Sequence, residues 1–376
     1  MNSSPYSTIT RPTLLVDRTR VERNILRMSE KARRSGVRLR PHFKTHQSAG
    51  IGSWFRSHGV DAIAVSSLQM AEYFAKHGWR DILVAFPFNP REIDAVNRLA
   101  RFSHLQILLD NSASLARLES ELKSPVCVWI DVDAGYGRTG IPAASEDEVV
   151  ALADQVASSP ALSLAGLYEH AGHTYHARTE DEVQQRFRSG IVKLERLRQI
   201  LASAGHDQVL IGAGDTPGCL LSEDFVGLDE IHPGNFALCD LTQWQLGACA
   251  LDDIASVVAC PVVSVYEHRS EFVIHGGAVH LSKERLGSGS DAPLFGKAIA
   301  LRANAWDPSD VLGDVVSVSQ EVGIVRVPKD KPMQVRVGDL VGVLPVHSCL
   351  AASALGRFVT TEGQCLDSMG SCAGGV

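Results

Sequence analysis

The chain has 376 residues, 45% of them hydrophobic and 21% charged, with 36 Lys and Arg against 43 Asp and Glu for a net charge of −7. This composition excludes a disordered chain, a collagen-like repeat and a small disulfide scaffold. The acidic balance argues against a general nucleic-acid binder or an anionic-membrane binder, and at about 100–200 residues per domain the length predicts two domains.

The eight cysteines are Cys127, Cys219, Cys239, Cys249, Cys260, Cys349, Cys365 and Cys372. They are scattered and form no CxxC pair, which predicts reduced thiols, several of them buried. Met1 to Thr10 is polar and has no apolar core of a secretory signal. No apolar run reaches the ~18 residues of a membrane span. The expectation is a cytoplasmic protein with a loose Gly- and Ser-rich end over 368–376.

From residue 18 to about 240, short apolar runs alternate with longer amphipathic ones. Strands are predicted over 37–41, 62–65, 82–85, 105–109, 126–130, 162–167, 209–211 and, weakly, 230–231. Helices are predicted over 68–77, 90–101, 112–122, 146–157 and 181–203, from apolar residues at mixed three- and four-residue spacing, and several open on capping residues such as Asn111 and Ser145. Eight strand-then-helix units predict a (β/α)8 barrel. An open doubly wound sheet would carry a GxGxxG after its first strand, and none is there. After about residue 250 the pattern changes to β-rich runs over 257–266, 271–275, 315–318, 323–327, 334–337, 340–344 and 358–361. The organisation expected is a barrel over 18–250 and a second, antiparallel β domain over 251–376. The strand-like Thr13–Asp17 stretch is left over from the barrel, which assigns residues 1–17 to the β domain.

A barrel places its chemistry on loops at the strand C-termini, and polar residues collect there. His42 and Lys44 follow the first strand, Ser66 the second, and Asp131, Asp133 and Arg138 the fifth. His170, His173 and Tyr175 follow the sixth, Asp215 and Thr216 the seventh, and His232 and Asn235 the last. The run from Arg38 to His46 reads either as a solvated basic loop or as a crowded site that favours a neutral Lys44 amine, the form a Schiff base with a carbonyl cofactor needs. Gly212–Gly218 and His232–Asn235 read either as turns or as phosphate-binding loops, which barrels place after strands seven and eight. A carboxylate at Asp215 is unfavourable beside a phosphate unless it points away. His347 and Cys349, two apart in a strand, share a face. They read either as a buried pair or as a zinc-like imidazole and thiolate set with open positions that suit catalysis. No other protein ligand is evident.

Taken together these segments resemble the D-serine dehydratase and D-threonine aldolase family. Arg40-Pro41-His42-x-Lys44-Thr45-His46 is similar to its cofactor-lysine motif and Asp133–Gly140 to its Asp-x-Gly-x-Gly-Arg-x-Gly loop. Tyr168–Tyr175, His232-Pro233-Gly234-Asn235 with Gln245-Leu246-Gly247, and His347-x-Cys349 follow in family order along nearly the whole chain. The resemblance implies an alanine racemase-like, fold-type III pyridoxal 5'-phosphate enzyme, usually a homodimer. It implies Lys44 as the catalytic Schiff-base lysine and Arg138 beside the cofactor ring. Tyr168, His170, Tyr175, Thr216, Gly234 and Asn235 would surround the cofactor, mostly near its phosphate. It implies His347 and Cys349 as ligands of a divalent metal, zinc in the dehydratases. The chain departs from the pattern at Glu321-Val322-Gly323, where relatives often read Glu-His-Gly, and at Asp215, where a small polar residue is common.

The activity implied is that of a lyase acting on a small D-3-hydroxy amino acid, with β-elimination to a keto acid and ammonia as the first reading. Retro-aldol cleavage to glycine and an aldehyde is the alternative. A racemase would need a second base from the other domain, for which Tyr266 is a distant candidate. On this reading the barrel holds the cofactor and the β domain brings the metal.

Overall fold

The structure, a computed structural model, describes residues 6–287, 292–302 and 304–370. Cys372 and the end of the Gly- and Ser-rich tail lie outside the described residues. The chain forms two compact units, one of Leu26–Lys44 and Phe55–Gly234, the other of Met1–Ile25, Thr45–Trp54 and Asn235–Val376. Among the described residues, no helix is long and apolar enough to cross a membrane.

The first strand, β1 (Thr13–Val16), belongs to the second of these units. The first unit contains β2 (Arg38–Leu39), β3 (Ala62–Val65), β4 (Asp81–Pro87), β5 (His104–Leu109), β6 (Val126–Asp133), the short β7 (Ile141–Pro142), β8 (Leu162–Glu169), β9 (Leu210–Ala213) and β10 (Glu230–Ile231). Eight of them run parallel in the order β2-β10-β9-β8-β6-β5-β4-β3, and β7 pairs with β6. The ends of the row approach each other beyond β2, where Ala64 N donates to Pro41 O at 3.0 Å and His42 bridges to Ala64. This is the expected barrel, nearly closed.

Its strands are apolar because both faces are covered. All four residues of β3 are buried. Ala64, Leu83, Leu108, Trp129 and Tyr168, from five different strands, pack into one cluster. Gly166 makes room for it. A Cβ there would stand 2.4 Å from Leu210 O and 2.6 Å from the Trp129 ring.

The intervening helices start where their caps dictate. Ser67, Asn111 and Thr179 accept from the backbone N–H three residues on, opening Leu68–Lys76, Ser112–Glu121 and Glu180–Ser203. Each cap satisfies one of the N–H groups that a first helical turn leaves without a partner. The expected 90–101 helix is a 3-10 turn, Pro90–Glu92, followed by Ile93–Leu99.

The second unit is a nine-stranded sheet in the order β12-β15-β14-β13-β16-β11-β1-β17-β18. Its strands after β1 are β11 (Ser256–Tyr266), β12 (Glu271–His275), β13 (Gly296–Leu301), β14 (Trp306–Val318), β15 (Val322–Arg326), β16 (Leu340–Pro345), β17 (Phe358–Thr360) and β18 (Cys365–Leu366). β1 lies antiparallel to β11, with Thr13 opposite Ala259, and parallel to β17, with Leu14 opposite Phe358. The strand-like N-terminal segment is therefore paired in this sheet. Its core gathers Leu15, Ile254, Val257, Ala259, Ile299 and Leu344.

Two sequence expectations change here, and one strand appears that the sequence did not announce. Residues 334–337 form no strand, because Asp339 caps Arg336 N at 2.8 Å and turns the chain. Gly296–Leu301, poor in β-branched residues, is nevertheless a strand because it is paired on both sides, with β14 and β16. The tail is not loose from its start. Ser368 is buried with its hydroxyl on Gly356 O at 2.5 Å, Asp367 accepts from Gly50 N at 2.9 Å, and Met369 N reaches Gln47 O at 2.8 Å.

Candidate active site

Lys44 lies on the 3-10 turn Phe43–Thr45 just after β2. Phe43 fixes that turn from below. Its ring is fully buried and meets Phe55 and Phe74 at 4.9 Å and Trp79 at 5.0 Å between centroids. Two imidazoles feel the charge of Lys44. Burial first, then Lys44, His170, His232 and Arg138, hold His42 well below the usual histidine range. Burial, then Lys44, Arg138 and His173, do the same for His170. Lys44 is thus flanked by imidazoles that burial and neighbouring charge keep neutral.

Beneath the turn a chain of buried polar groups crosses the barrel. Trp129 Nε1 donates to Gln106 Oε1, Gln106 Nε2 to Asp81 Oδ1, Arg40 Nη1 to Asp81 Oδ1 and Arg40 Nε to Glu230 Oε2, each at 2.6 Å. Glu230 Oε2 lies 3.3 Å from His232 Nε2, and the His232 ring stacks on Tyr168 with centroids 5.0 Å apart and planes 15° from parallel. Burial would raise the Glu230 carboxyl, but the hydrogen bonds from His232 and Arg40 hold it well below the usual range. Tyr168 is held phenolic, raised first by burial and then by Asp131.

The Asp133–Gly140 loop is organised by its own aspartate. Asp133 Oδ1 accepts from Gly135, Tyr136 and Gly137 N at 2.9, 2.8 and 3.0 Å. Burial would raise this carboxyl, yet the backbone donors hold it low. Gly140 has φ +99°, and a Cβ there would stand 2.8 Å from Asp133 N. This is the physical need behind a glycine at the end of the motif. The loop leaves Arg138 exposed, with its guanidinium 5.3 Å from the Tyr136 ring centroid. Tyr136 in turn meets His170 edge-on at 5.7 Å. Tyr175 is half-buried on the 3-10 turn Gly172–His176 that follows β8.

After β9, Thr216 is buried at the start of the helix Thr216–Leu221. Asp215 caps that helix through Gly218 N at 2.9 Å, and its other oxygen takes the Thr174 hydroxyl. Both oxygens are therefore occupied by the protein, which answers the expected conflict with a phosphate. Burial raises the Asp215 carboxyl to about 7. Gly212 and Gly214 let neighbouring side chains pack close against the backbone. A Cβ on the first would meet His232 Cε1 at 2.5 Å and on the second Cys219 Sγ at 2.8 Å. Gly234, after β10, is the last residue of the barrel unit.

In the β unit, Asn235 is buried, and its side chain is built into a network. Its Nδ2 donates to Asp240 Oδ2 at 2.5 Å and its Oδ1 accepts from Ser348 Oγ at 2.5 Å. Asp240 Oδ2 also accepts from Ser348 N at 3.0 Å. The segment after Asn235 is thus fastened to the segment that carries His347 and Cys349. The strand expected to carry the pair ends at Pro345: His347 precedes the helix Ser348–Leu355 and Cys349 lies within it, so the two do not share a strand face. His347 Nδ1 lies 3.1 Å from Glu284 Oε2, and Cys349 Sγ lies 3.5 Å from Thr45 Oγ1. Burial alone would lower the His347 imidazole, but Cys349 and Glu284 push it up to about 11. The pocket around this ring is suited to positive charge. Glu284 was not singled out from the sequence, because 63 residues separate it from His347 and no spacing rule links them.

A family model described as alanine racemase, N-terminal domain, matches residues 16–239. The chain belongs to this family. A second model, described as a putative serine dehydratase domain, matches residues 255–361 of this alanine racemase family member. The chain is 27% identical to a D-serine dehydratase of Dictyostelium discoideum over 98% of both proteins. It is 28% identical to a D-threo-3-hydroxyaspartate dehydratase of Delftia sp. strain HT23 over 91% of each. The solved structure of the Delftia enzyme superposes with a TM-score of 0.88, covering 98% of this chain and 99% of that one at 25% identity. A cysteine-to-alanine mutant of a D-threo-3-hydroxyaspartate dehydratase, described as metal-free, matches with the same TM-score, 0.88, at 24% identity.

Proposed function

We propose that the protein is a pyridoxal phosphate- and metal-dependent lyase that eliminates the β-hydroxyl of a small D-3-hydroxy amino acid, giving a keto acid and ammonia. The observation that carries this reading is Lys44, set by the buried Phe43 on a turn at a barrel-strand end among imidazoles held neutral. The dehydratases similar to it over nearly its whole length support the substrate class.

The residues present fit the cofactor. Lys44 offers the amine. The closely packed Gly212–Gly214 segment, with buried Thr216 beside a carboxyl whose oxygens are both engaged, follows the barrel strand where phosphates commonly bind. We assign Arg138, Tyr168, His170, Tyr175, Thr216, Gly234 and Asn235 to cofactor binding. The Asn235 side chain is committed to Asp240 and Ser348, so its part falls to its backbone. The donors at His347 and Cys349 fit a metal of the zinc type. They pair an imidazole with a thiol, and the imidazole has a carboxylate behind it that orients a ligating ring.

Pyridoxal phosphate supplies an electron sink for charge at Cα, and a divalent ion supplies a Lewis acid for the departing hydroxyl. The protein's own residues do the rest. Lys44 would hold the cofactor, and its amine would serve as the base for the Cα proton. His42 and His170, kept neutral, place no further positive charge beside it. Tyr168, held phenolic and stacked on His232, presents a rigid apolar face. Asp133 holds the loop that carries Arg138. His347 and Cys349 would bear the ion, zinc on the softness of the donors. The same reading makes the assembly a homodimer, as the resemblance implies. It makes the compartment the cytoplasm, in keeping with the free state of the described cysteines.

The test is product analysis on the purified holoenzyme with D-serine, D-threonine and D-3-hydroxyaspartate, beside Lys44→Ala. Keto acid and ammonia from the wild type, with loss of turnover and of the cofactor's visible absorbance in Lys44→Ala, are expected. Glycine and an aldehyde as the products would replace elimination with aldol cleavage. A wild-type spectrum in Lys44→Ala would remove the lysine from its role.

A further inference from the structure

Away from the residues considered so far, a second group of ligating side chains converges in the β unit. His275 ends β12, His280 lies in the one-turn helix Ala278–Leu281, and Glu321 sits in the turn between β14 and β15. One ligand atom from each lies within 4.8 Å of those of the other two. Glu321 Oε2 is 3.6 Å from His275 Nε2 and 3.4 Å from His280 Nε2. The two imidazoles meet edge to face with centroids 5.4 Å apart.

We propose that His275, His280 and Glu321 form a second divalent-metal site, separate from the His347–Cys349 pair, for a first-row ion of the zinc class. The spacing fits. A tetrahedral ion with bonds of about 2.0–2.1 Å sets neighbouring ligand atoms ~3.3 Å apart, close to the two carboxylate–imidazole separations already present. Two nitrogens and one oxygen on three sides suit zinc, and Glu321, with a side chain 53% exposed, leaves the remaining positions to water.

The scaffold holds the ligands in place before an ion arrives. Gly276 N donates to Glu321 O at 2.9 Å, Ala278 N to Ser319 O at 2.7 Å and Val279 N to Gln320 O at 3.2 Å. The loop and the turn lie so close that a Cβ on Gly277 would meet Ser319 O and Gln320 O at 2.5 Å. Backbone fixed in this way lowers the ordering cost of binding. Binding also sets a tautomer. His280 Nδ1 now accepts a long contact of 3.2 Å from Gly277 N. An ion on Nε2 moves the ring proton to Nδ1, and that contact is given up. The ion then ties the end of β12 to the β14–β15 turn. The stretch 275–284 serves both centres, since Glu284 backs His347.

The test uses the full-length protein with its cofactor, stripped by a chelator and titrated with Zn2+ and with Co2+. The wild type is expected to take up two Zn2+ per chain, and His275→Ala and Glu321→Gln one each. In a His347→Ala, Cys349→Ala background a single Co2+ is expected, with d–d absorption and no thiolate charge-transfer band. In that background Glu321→Gln, a surface change of equal size, weakens Zn2+ at least tenfold. Circular dichroism and the cofactor absorbance report the fold throughout. Absence of any bound ion in the double-variant background overturns the proposal, as does unchanged affinity on Glu321→Gln. Failure of the His347–Cys349 site alone shows instead as one ion per wild-type chain that His275→Ala removes.

Discussion

Replacing Arg40 with methionine tests the polar chain under the Lys44 turn. Arg40 is 1% exposed at its side chain and donates to Glu230 at 2.6 and 3.0 Å and to Asp81 at 2.6 Å. Methionine fills much the same volume but leaves two carboxylates facing an apolar side chain. Removing one partner of a buried ion pair costs about 3–5 kcal/mol. Arg38 softens the loss, since it stays 2.9 Å from Asp81 and 3.5 Å from Glu230. The lower end, about 3 kcal/mol, is therefore expected at pH 7, or about 6–12 °C in Tm for a unit of this size.

The pH dependence fixes the cause. In the wild type both carboxyls are held below their usual values, so the stability they contribute is present above the unfolded pKa of about 4 and is lost as pH falls through the lower folded values. In the variant, burial without the Arg40 guanidinium moves both carboxyls up from their wild-type values, opposed by Arg38 and, at Glu230, by His232. Proton uptake then relieves the variant as pH falls from 7 towards 5, and the gap to the wild type narrows. The assay is thermal or urea unfolding of both proteins across that range, followed by far-UV circular dichroism. A loss under about 1 kcal/mol at pH 7, or one that does not shrink by pH 5, would refute the reasoning.

Two other substitutions probe the loops. Glu284→Gln removes the carboxylate behind His347 and should weaken the metal on that imidazole by about 10–100-fold, measured by competition with a chromophoric chelator. Undiminished affinity would show that Glu284 does not orient the ring. Gly140→Ala forces an L side chain to φ +99° against Asp133 N and should cost about 2–3 kcal/mol in unfolding free energy, with weaker retention of the cofactor on dialysis. A wild-type melting curve would show that the loop relaxes at no cost.

Much of the barrel is legible in the sequence because periodicity is local. Apolar runs such as Ala62–Val65 and caps such as Asn111 act over a few residues, and the structure places strands and helices where they point. The 49–57 helix carries no comparable signal, and Gly296–Leu301 becomes a strand only through neighbours on both sides. The candidate site divides in the same way. Lys44, the Asp133–Gly140 loop and the His347–Cys349 pair announce themselves because their chemistry is packed into a few consecutive residues. Asp215 announces itself only as an anomaly, which its two hydrogen bonds explain.

What one sequence by itself determined is the order of elements and the family that its motifs, the Arg40–His46 lysine segment among them, resemble. The tertiary structure alone decided the partnerships between distant residues. Arg40 meets Glu230 across 190 positions, Glu284 meets His347 across 63, and His275, His280 and Glu321 converge from three separate elements. It also decided that the stretch Thr45–Trp54, directly after the lysine, folds with the β unit. Such pairings leave no spacing in the chain, because they depend on where strand ends and turns meet in space.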